Sequence, residues 1–175
     1  MKKFLLFGIF ILAGGAALLR GYALPCLTLR LPDHNNKRIF SAPLKPGQRF
    51  TLAYRHSVEK TRVEGIFQMA DPPGILVVET RMTSVGTGLP NTFQERTRRE
   101  GEWMVVDEGL SPLPPFRFFV ATINQARLIT PNQRFDLSTL PQGTIVRLGT
   151  ESLSLFSHLL DRIRALGAFK PPNPS

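Results

Sequence analysis

Hydrophobic and polar positions alternate with period two along most of the chain. "LTLRL" puts Leu27, Leu29 and Leu31 on one face and Thr28 and Arg30 on the other. "RFTLAY" repeats the pattern with Phe50, Leu52 and Tyr54, a second run covers Val63 to Met69, and "ILVVETRMTS" is the most strand-like segment of all. "IFSAPL", "EWMVVDE", "FRFFVAT" and "GTIVRLGT" add further strands, and "ARLIT" and "RFDL" flank "PNQ" as a hairpin. Turn residues separate them, as in "DHNNKR", "KPGQ" and "DPPG". Nine or ten short strands without intervening helices predict an all-β domain, an antiparallel barrel or sandwich, over residues 24–150.

Helical spacing is confined to the C-terminal part. In "ESLSLFSHLLDRIRALGAF" the residues Leu153, Phe156, Leu160 and Ile163 share a stripe, with Ser157, His158, Asp161, Arg162 and Arg164 mostly elsewhere. This predicts one amphipathic helix over 151–169, capped by Ser152 or Ser154 and ended by Gly167, and covering the β domain or docking on a membrane or partner. The tail 170–175, "KPPNPS", reads as disordered.

The chain opens on Lys2 and Lys3, followed by 16 uncharged residues from Phe4 to Leu19. That is the pattern of an export signal, so residues 1–23 are expected to be a signal peptide or a membrane anchor. At about 1.5 Å per residue the stretch falls short of the ~30 Å hydrocarbon core, so a spanning helix would need extension past Arg20. Both the cleaved and the anchored form stay open. The expected location is the periplasm or the outer face of a bacterial inner membrane. Proline before Cys26 makes "ALPC" a poor lipidation site, and a single cysteine allows neither an internal disulfide nor a cysteine-rich zinc centre.

Net charge is +9, of which Lys2, Lys3 and Arg20 carry three, leaving +6 beyond residue 23. Such an excess favours anionic partners. Export argues against nucleic acid, and the basic residues are scattered, so a solvated, mildly basic surface is the expectation.

Candidate chemistry concentrates in "YRHSVEKTRVEGIF". With "EKTR" as a four-residue loop, Val58 faces Val63, His56 faces Gly65, Tyr54 faces Phe67 and Leu52 faces Met69. His56 then points inward with room beside Gly65, and Ser57 lies opposite Glu64 on the other face. For the next strand, a four-residue "DPPG" loop brings Glu64 opposite Arg81, and Ser57, Glu64 and Arg81 form a polar row. A slip of one residue instead sets Glu79 opposite Gly65. Adjacent residues in a strand point to opposite faces, so His56 and Ser57 do not form a nucleophile–base pair, and no catalytic residue is assigned. His56 reads by default as a satisfied histidine at the core edge, and Glu59 as a solvated turn residue. Gly86 and Gly88 in "TSVGTGLPNTF" permit an anion-binding backbone loop but lack a phosphate loop's lysine and helix. Three histidines, His34, His56 and His158, show no metal-ligand spacing, and no cofactor is expected.

Taken together, "YRHSVEKTRVEGIF" and "VVETRMTSVGTGLP" resemble the small exported bacterial proteins grouped as domain of unknown function 1850. The similarity runs from roughly Cys26 to Leu148 and includes "CLTLRL", "PGQRFTLAYRHSV" and "GEWMVV". The family's histidine–serine pair, acidic turn, second acidic residue and glycine-rich loop fall here on His56, Ser57, Glu59, Glu64, Gly86 and Gly88. Gly65 stands where many members carry a second acid. The resemblance implies an association with tripartite (TRAP-type, TAXI-like) solute transporters, with a permease or solute-binding protein as partner; with the leader and a β domain lacking an assembled catalytic centre, the leading expectation is a non-enzymatic accessory. The alternatives are a binding module for a small anionic solute, with His56, Ser57, Glu59, Glu64, Glu79, Arg81, Gly86 and Gly88 as ligand residues, and, more distantly, a serine hydrolase on His56 and Ser57.

Overall fold

Alternation along "CLTLRL" becomes β1 (Ala23–Leu31) of a computed structural model that describes residues 21, 23–58, 60–84 and 96–160. The leader 1–20, Glu59, the loop holding Gly86 and Gly88, and the chain from 161 onward lie outside the described residues. The other strands are β2 (Lys37–Pro43), β3 (Arg49–Arg55), β4 (Arg62–Met69), β5 (Ile75–Met82), β6 (Thr97–Glu100), β7 (Trp103–Leu113), β8 (Phe116–Phe119), β9 (Arg127–Ile129), β10 (Arg134–Asp136) and β11 (Ile145–Ser154). All pairings are antiparallel, in one sheet of order β2-β1-β11-β8 and a second of order β10-β9-β3-β4-β5-β7-β6. Of the two expected architectures the sandwich is realised; neither sheet closes, and the described strands number eleven.

The core lies between the sheets. Leu27, Leu29, Val146 and Leu148 of the smaller sheet meet Phe50, Leu52, Phe67 and Leu128 of the larger. Phe67 and Phe116 approach at 6.3 Å, and Phe40 and Phe135 at 5.3 Å, each pair joining the two sheets. With no disulfide available, this apolar contact carries the stability.

Strand β1 departs from simple alternation, because Cys26 and Thr28, outward by register, are also buried. The Thr28 hydroxyl is engaged there by Gly149 O at 3.3 Å and Glu151 at 3.1 Å, and the C-terminal helix lies against the same face. Residues 151–154 complete β11 against Ala23–Cys26, so helix starts at 155 rather than 151. Ser154 Oγ accepts the Ser157 N–H at 3.2 Å and caps it. Buried His158 then places Nδ1 3.2 Å from Ser41 Oγ, laying the helix across the outer face of the smaller sheet. The stripe read from sequence omitted His158, which is buried and meets that hydroxyl.

The β3–β4 hairpin differs from its expected register. Tyr54 opposes Val63, Leu52 opposes Gly65, and Phe50 opposes Phe67. The connection is His56–Thr61, closed by His56 N–H to Thr61 O (2.8 Å) and Lys60 N–H to His56 O (3.0 Å), with Lys60 at φ 54. The displacement is four residues, which keeps every side chain on its face, so apolar alternation cannot distinguish the two registers. Stacking of Phe50 on Phe67 (5.2 Å, 20° between planes) favours the observed one. His56 consequently sits exposed in the turn, not inward. The space at Gly65 is taken by Phe67, and a β-carbon there would lie 2.8 Å from its ring.

Both registers considered for β4–β5 occur. Glu64 faces Arg81, as in the four-residue-loop alignment, but beyond Ile66 a bulge at Val78 shifts the ladder so that Phe67 faces Val77 and Met69 faces Ile75. Ile75, Val77, Thr80 and Met82 thereby face the core side, while Glu79 and Arg81 turn outward together.

Gly65→Ala is expected to push the Phe67 ring off Phe50 and to cost about 1–3 kcal/mol, as overpacking does. Thermal melts of the two proteins check this; an unchanged melting temperature would show that the ring relocates freely.

Candidate anion-binding site

The outer face of the larger sheet carries charge in register. Pairing sets Arg127, Ala53, Glu64, Arg81, Val105 and Arg98 in one row across six strands. At the end where β3 stops and β4 and β9 begin, this face opens into a cleft of about 500 Å³. Five cationic side chains line it, Arg55, Lys60, Arg62, Arg127 and Arg134, together with one carboxylate, Glu64. Tyr54, Thr83 and Gln125 supply neutral polar groups.

Local contacts hold most of these cations in place. Arg55 Nε donates to Lys60 O at 3.0 Å across the hairpin turn, and Lys60 Nζ donates to Ser57 O at 2.7 Å. The Arg62 guanidinium pairs with Glu102 and lies 5.1 Å over the Trp103 ring. Arg127 faces Asp136 at 3.9 Å. Asp136 is kept below its ordinary range first by the Ser138 hydroxyl, against some desolvation, and further by the Ser138 N–H and Arg127. Burial pushes the Tyr54 phenol upward, so at neutral pH its hydroxyl is a donor. Five cations against Glu64 in the cleft and the partners Glu102 and Asp136 beside it still leave an excess of positive charge, and guanidinium forks suit carboxylate or phosphate oxygens.

Next to the cleft, Glu79 forms a buried clamp. Arg81 Nε donates to its Oε1 at 2.7 Å and Arg98 to its Oε2 at 2.8 Å, and Arg98 Nε also donates to Glu100 at 2.7 Å. Desolvation raises the Glu79 carboxyl, but the hydrogen bonds from Arg98 and Arg81 and their charge outweigh it and hold it below the ordinary value. Only the bulge at Val78 makes this possible, by taking Glu79 out of the core.

Of the residues singled out from sequence, Glu64 lines the cleft, and Glu79 and Arg81 join each other in the adjoining clamp. His56 and Ser57 belong to the exposed turn beside the cleft, where the Ser57 carbonyl positions Lys60. The expected Ser57–Glu64–Arg81 row is thus reduced to Glu64 and Arg81, because Ser57 has no partner strand position. Glu59, Gly86 and Gly88 lie outside the described residues. Sequence reasoning missed Arg55, Lys60, Arg62, Arg127 and Arg134. The first three were visible as cations inside the singled-out hairpin, whereas Arg127 and Arg134 arrive only through the β3–β9 pairing.

Comparison with known proteins adds one match. A family model described as "Domain of unknown function (DUF1850)" covers residues 50–137, half of the chain. That stretch begins at β3 and ends after β10, and it contains every described lining residue of the cleft. No curated protein and no solved structure is matched.

For Glu79 the pH dependence has a definite sign. Its folded value lies below the ordinary 4.5, so its stabilisation is complete above that value and is lost as pH falls through the lowered one. Glu79→Gln is expected to cost about 1–3 kcal/mol near neutrality, because two arginines lose their shared acceptor. Melts against pH should show the two proteins converging on the acid side; a constant gap would refute the assignment.

Proposed function

The chain belongs to the domain of unknown function 1850 family, and on that premise we propose that it is a non-enzymatic binding module for a small anionic solute. The observation that carries this is the cleft, with five cations around one carboxylate in a volume suited to a small organic acid. Arg127 and Arg134 approach from the β9–β10 hairpin, and Arg55, Lys60 and Arg62 from the β3–β4 hairpin. An acid lying between them gains charge-assisted bonds from both sides. Glu64 disfavours a second anionic group at its own position and accepts from a hydroxyl or ammonium of the solute. In this way one carboxylate converts a general affinity for anions into selection among them.

A thermal-shift series with organic acids on the full chain tests the reading. A binding acid at a hundredfold its Kd raises stability by about 2.7 kcal/mol. Arg127→Gln combined with Arg134→Gln should weaken binding tenfold or more, since each lost bond to a charged group contributes about 1.5–3 kcal/mol. A folded protein unmoved by every acid tried would overturn the reading.

In the same reading the module works on the outer face of the bacterial inner membrane, as accessory to a TRAP-type, TAXI-like solute transporter. Support comes from the basic, apolar N-terminal sequence and from the resemblance carried by the "YRHSVEKTRVEGIF" hairpin. Among the described residues no helix is long and apolar enough to cross a membrane; the leader is the anchor in this reading. Recovery of a permease or solute-binding subunit with the tagged full chain in mild detergent is expected; repeated recovery of the chain alone would count against it.

A further inference from the structure

The smaller sheet carries a second array of positive charge, on the opposite side of the sandwich. Arg38 pairs with Arg30, Arg30 with Arg147, and Arg147 with Arg117, one arginine from each of its four strands. Their neighbours Leu29, Val146 and Leu148 are in the core, so the row is on the outer face. At the usual strand spacing it spans about 14 Å. Like charges directly opposite each other are unfavourable in a sheet. Glu151 offsets this at one end, accepting from Arg30 at 2.7 Å and facing Arg38 at 3.6 Å. At the other end, among the described residues, Arg147 and Arg117 make no ion pair, and Arg117 is exposed.

Apolar side chains accompany the row. Phe119, two residues past Arg117 and therefore on the same face, is 71% exposed. Leu159, on the helical residues that cover the other half of this face, is also exposed. A flat row of guanidinium groups beside a bare phenyl ring matches the phosphates and acyl boundary of a bilayer. The apolar leader, Phe4–Leu19, moreover joins the domain at β1, the strand that carries Arg30. We propose that the outer face of the β2-β1-β11-β8 sheet docks on anionic phospholipid through Arg117, Arg147 and Phe119.

The test is flotation of the full chain with vesicles of phosphatidylcholine alone or containing phosphatidylglycerol. The leader contributes to both, so the readout is the excess bound to anionic vesicles, which should fall at high salt. Arg117→Gln with Arg147→Gln should lower that excess roughly tenfold and leave binding to neutral vesicles unchanged. The pair should fold at least as well as the parent, checked by circular dichroism, because it removes a like-charge contact. Phe119→Ser should weaken anionic-vesicle binding with every arginine kept. An excess unaltered by the arginine pair overturns the proposal. So does an excess that disappears with the cleft variants at Arg127 and Arg134 instead, or row-dependent binding to polyglutamate but not to vesicles. The acid thermal-shift series reads the other face, so either result can fail without the other.

Discussion

The placement of Glu79 is the constraint on which the larger sheet depends. Strict alternation from Ile75 and Val77 would carry this carboxylate into the apolar space occupied by Phe67 and Met69, at a cost no single hydrogen bond recovers. The extra residue at Val78 prevents that, and β7 accommodates it with its own irregularity, where Gly109 and Leu110 take positive φ. Once outward, Glu79 reaches Arg81 on its own strand and Arg98 on β6. The edge strand, which has only four residues and little apolar surface, is thereby tied to the sheet by charge. The same bulge preserves the Glu64–Arg81 alignment that brings a carboxylate to the margin of the cleft.

Much of the fold was legible because period-two patterning reports one thing well, namely which face of a strand is apolar. Leu27 and Leu29, Phe50 and Leu52, and the turns at "KPGQ", "DPPG" and "PNQ" all behave as that pattern requires. Parity cannot report an even-numbered displacement, however, and the β3–β4 hairpin shifts by four residues for the sake of the Phe50–Phe67 stack. Nor can it report a bulge that changes parity midway, which is why the two alignments weighed for β5 each hold over half its length. Nor does local alternation report the burial of Thr28, bonded to Gly149 and Glu151 more than 120 residues away, or of His158, which meets Ser41 through one hydroxyl–imidazole contact.

The candidate site was less legible for a related reason. His56, Ser57 and the carboxylates stand out in the sequence because these residue types perform chemistry, while the arginines of the same hairpin read as ordinary solvated charge. A guanidinium becomes informative only when other cations stand near it against their mutual repulsion. Here Arg127 and Arg134 come from the β9–β10 hairpin and meet Arg55 and Arg62 by a pairing that no local pattern announces. The scattered basic residues of the sequence are therefore arranged in register in the folded chain, in the cleft on one sheet and the row on the other.

Two arrays on opposite outer faces of a sandwich are separated by the whole core and by both sheets, which pack about 10 Å apart. That distance exceeds the roughly 8 Å Debye length at physiological ionic strength, and solvent lies beyond each array. Occupation of one array by an anion thus changes the potential at the other only weakly. If the Arg117–Arg147 face rests on a bilayer, the cleft faces away from it and stays open to solute. A domain held flat by one sheet thus leaves its other sheet to sample the surrounding solution. The converse orientation, cleft against the lipid, would bury Glu64 among phosphates and leave Phe119 in water, and both changes are unfavourable.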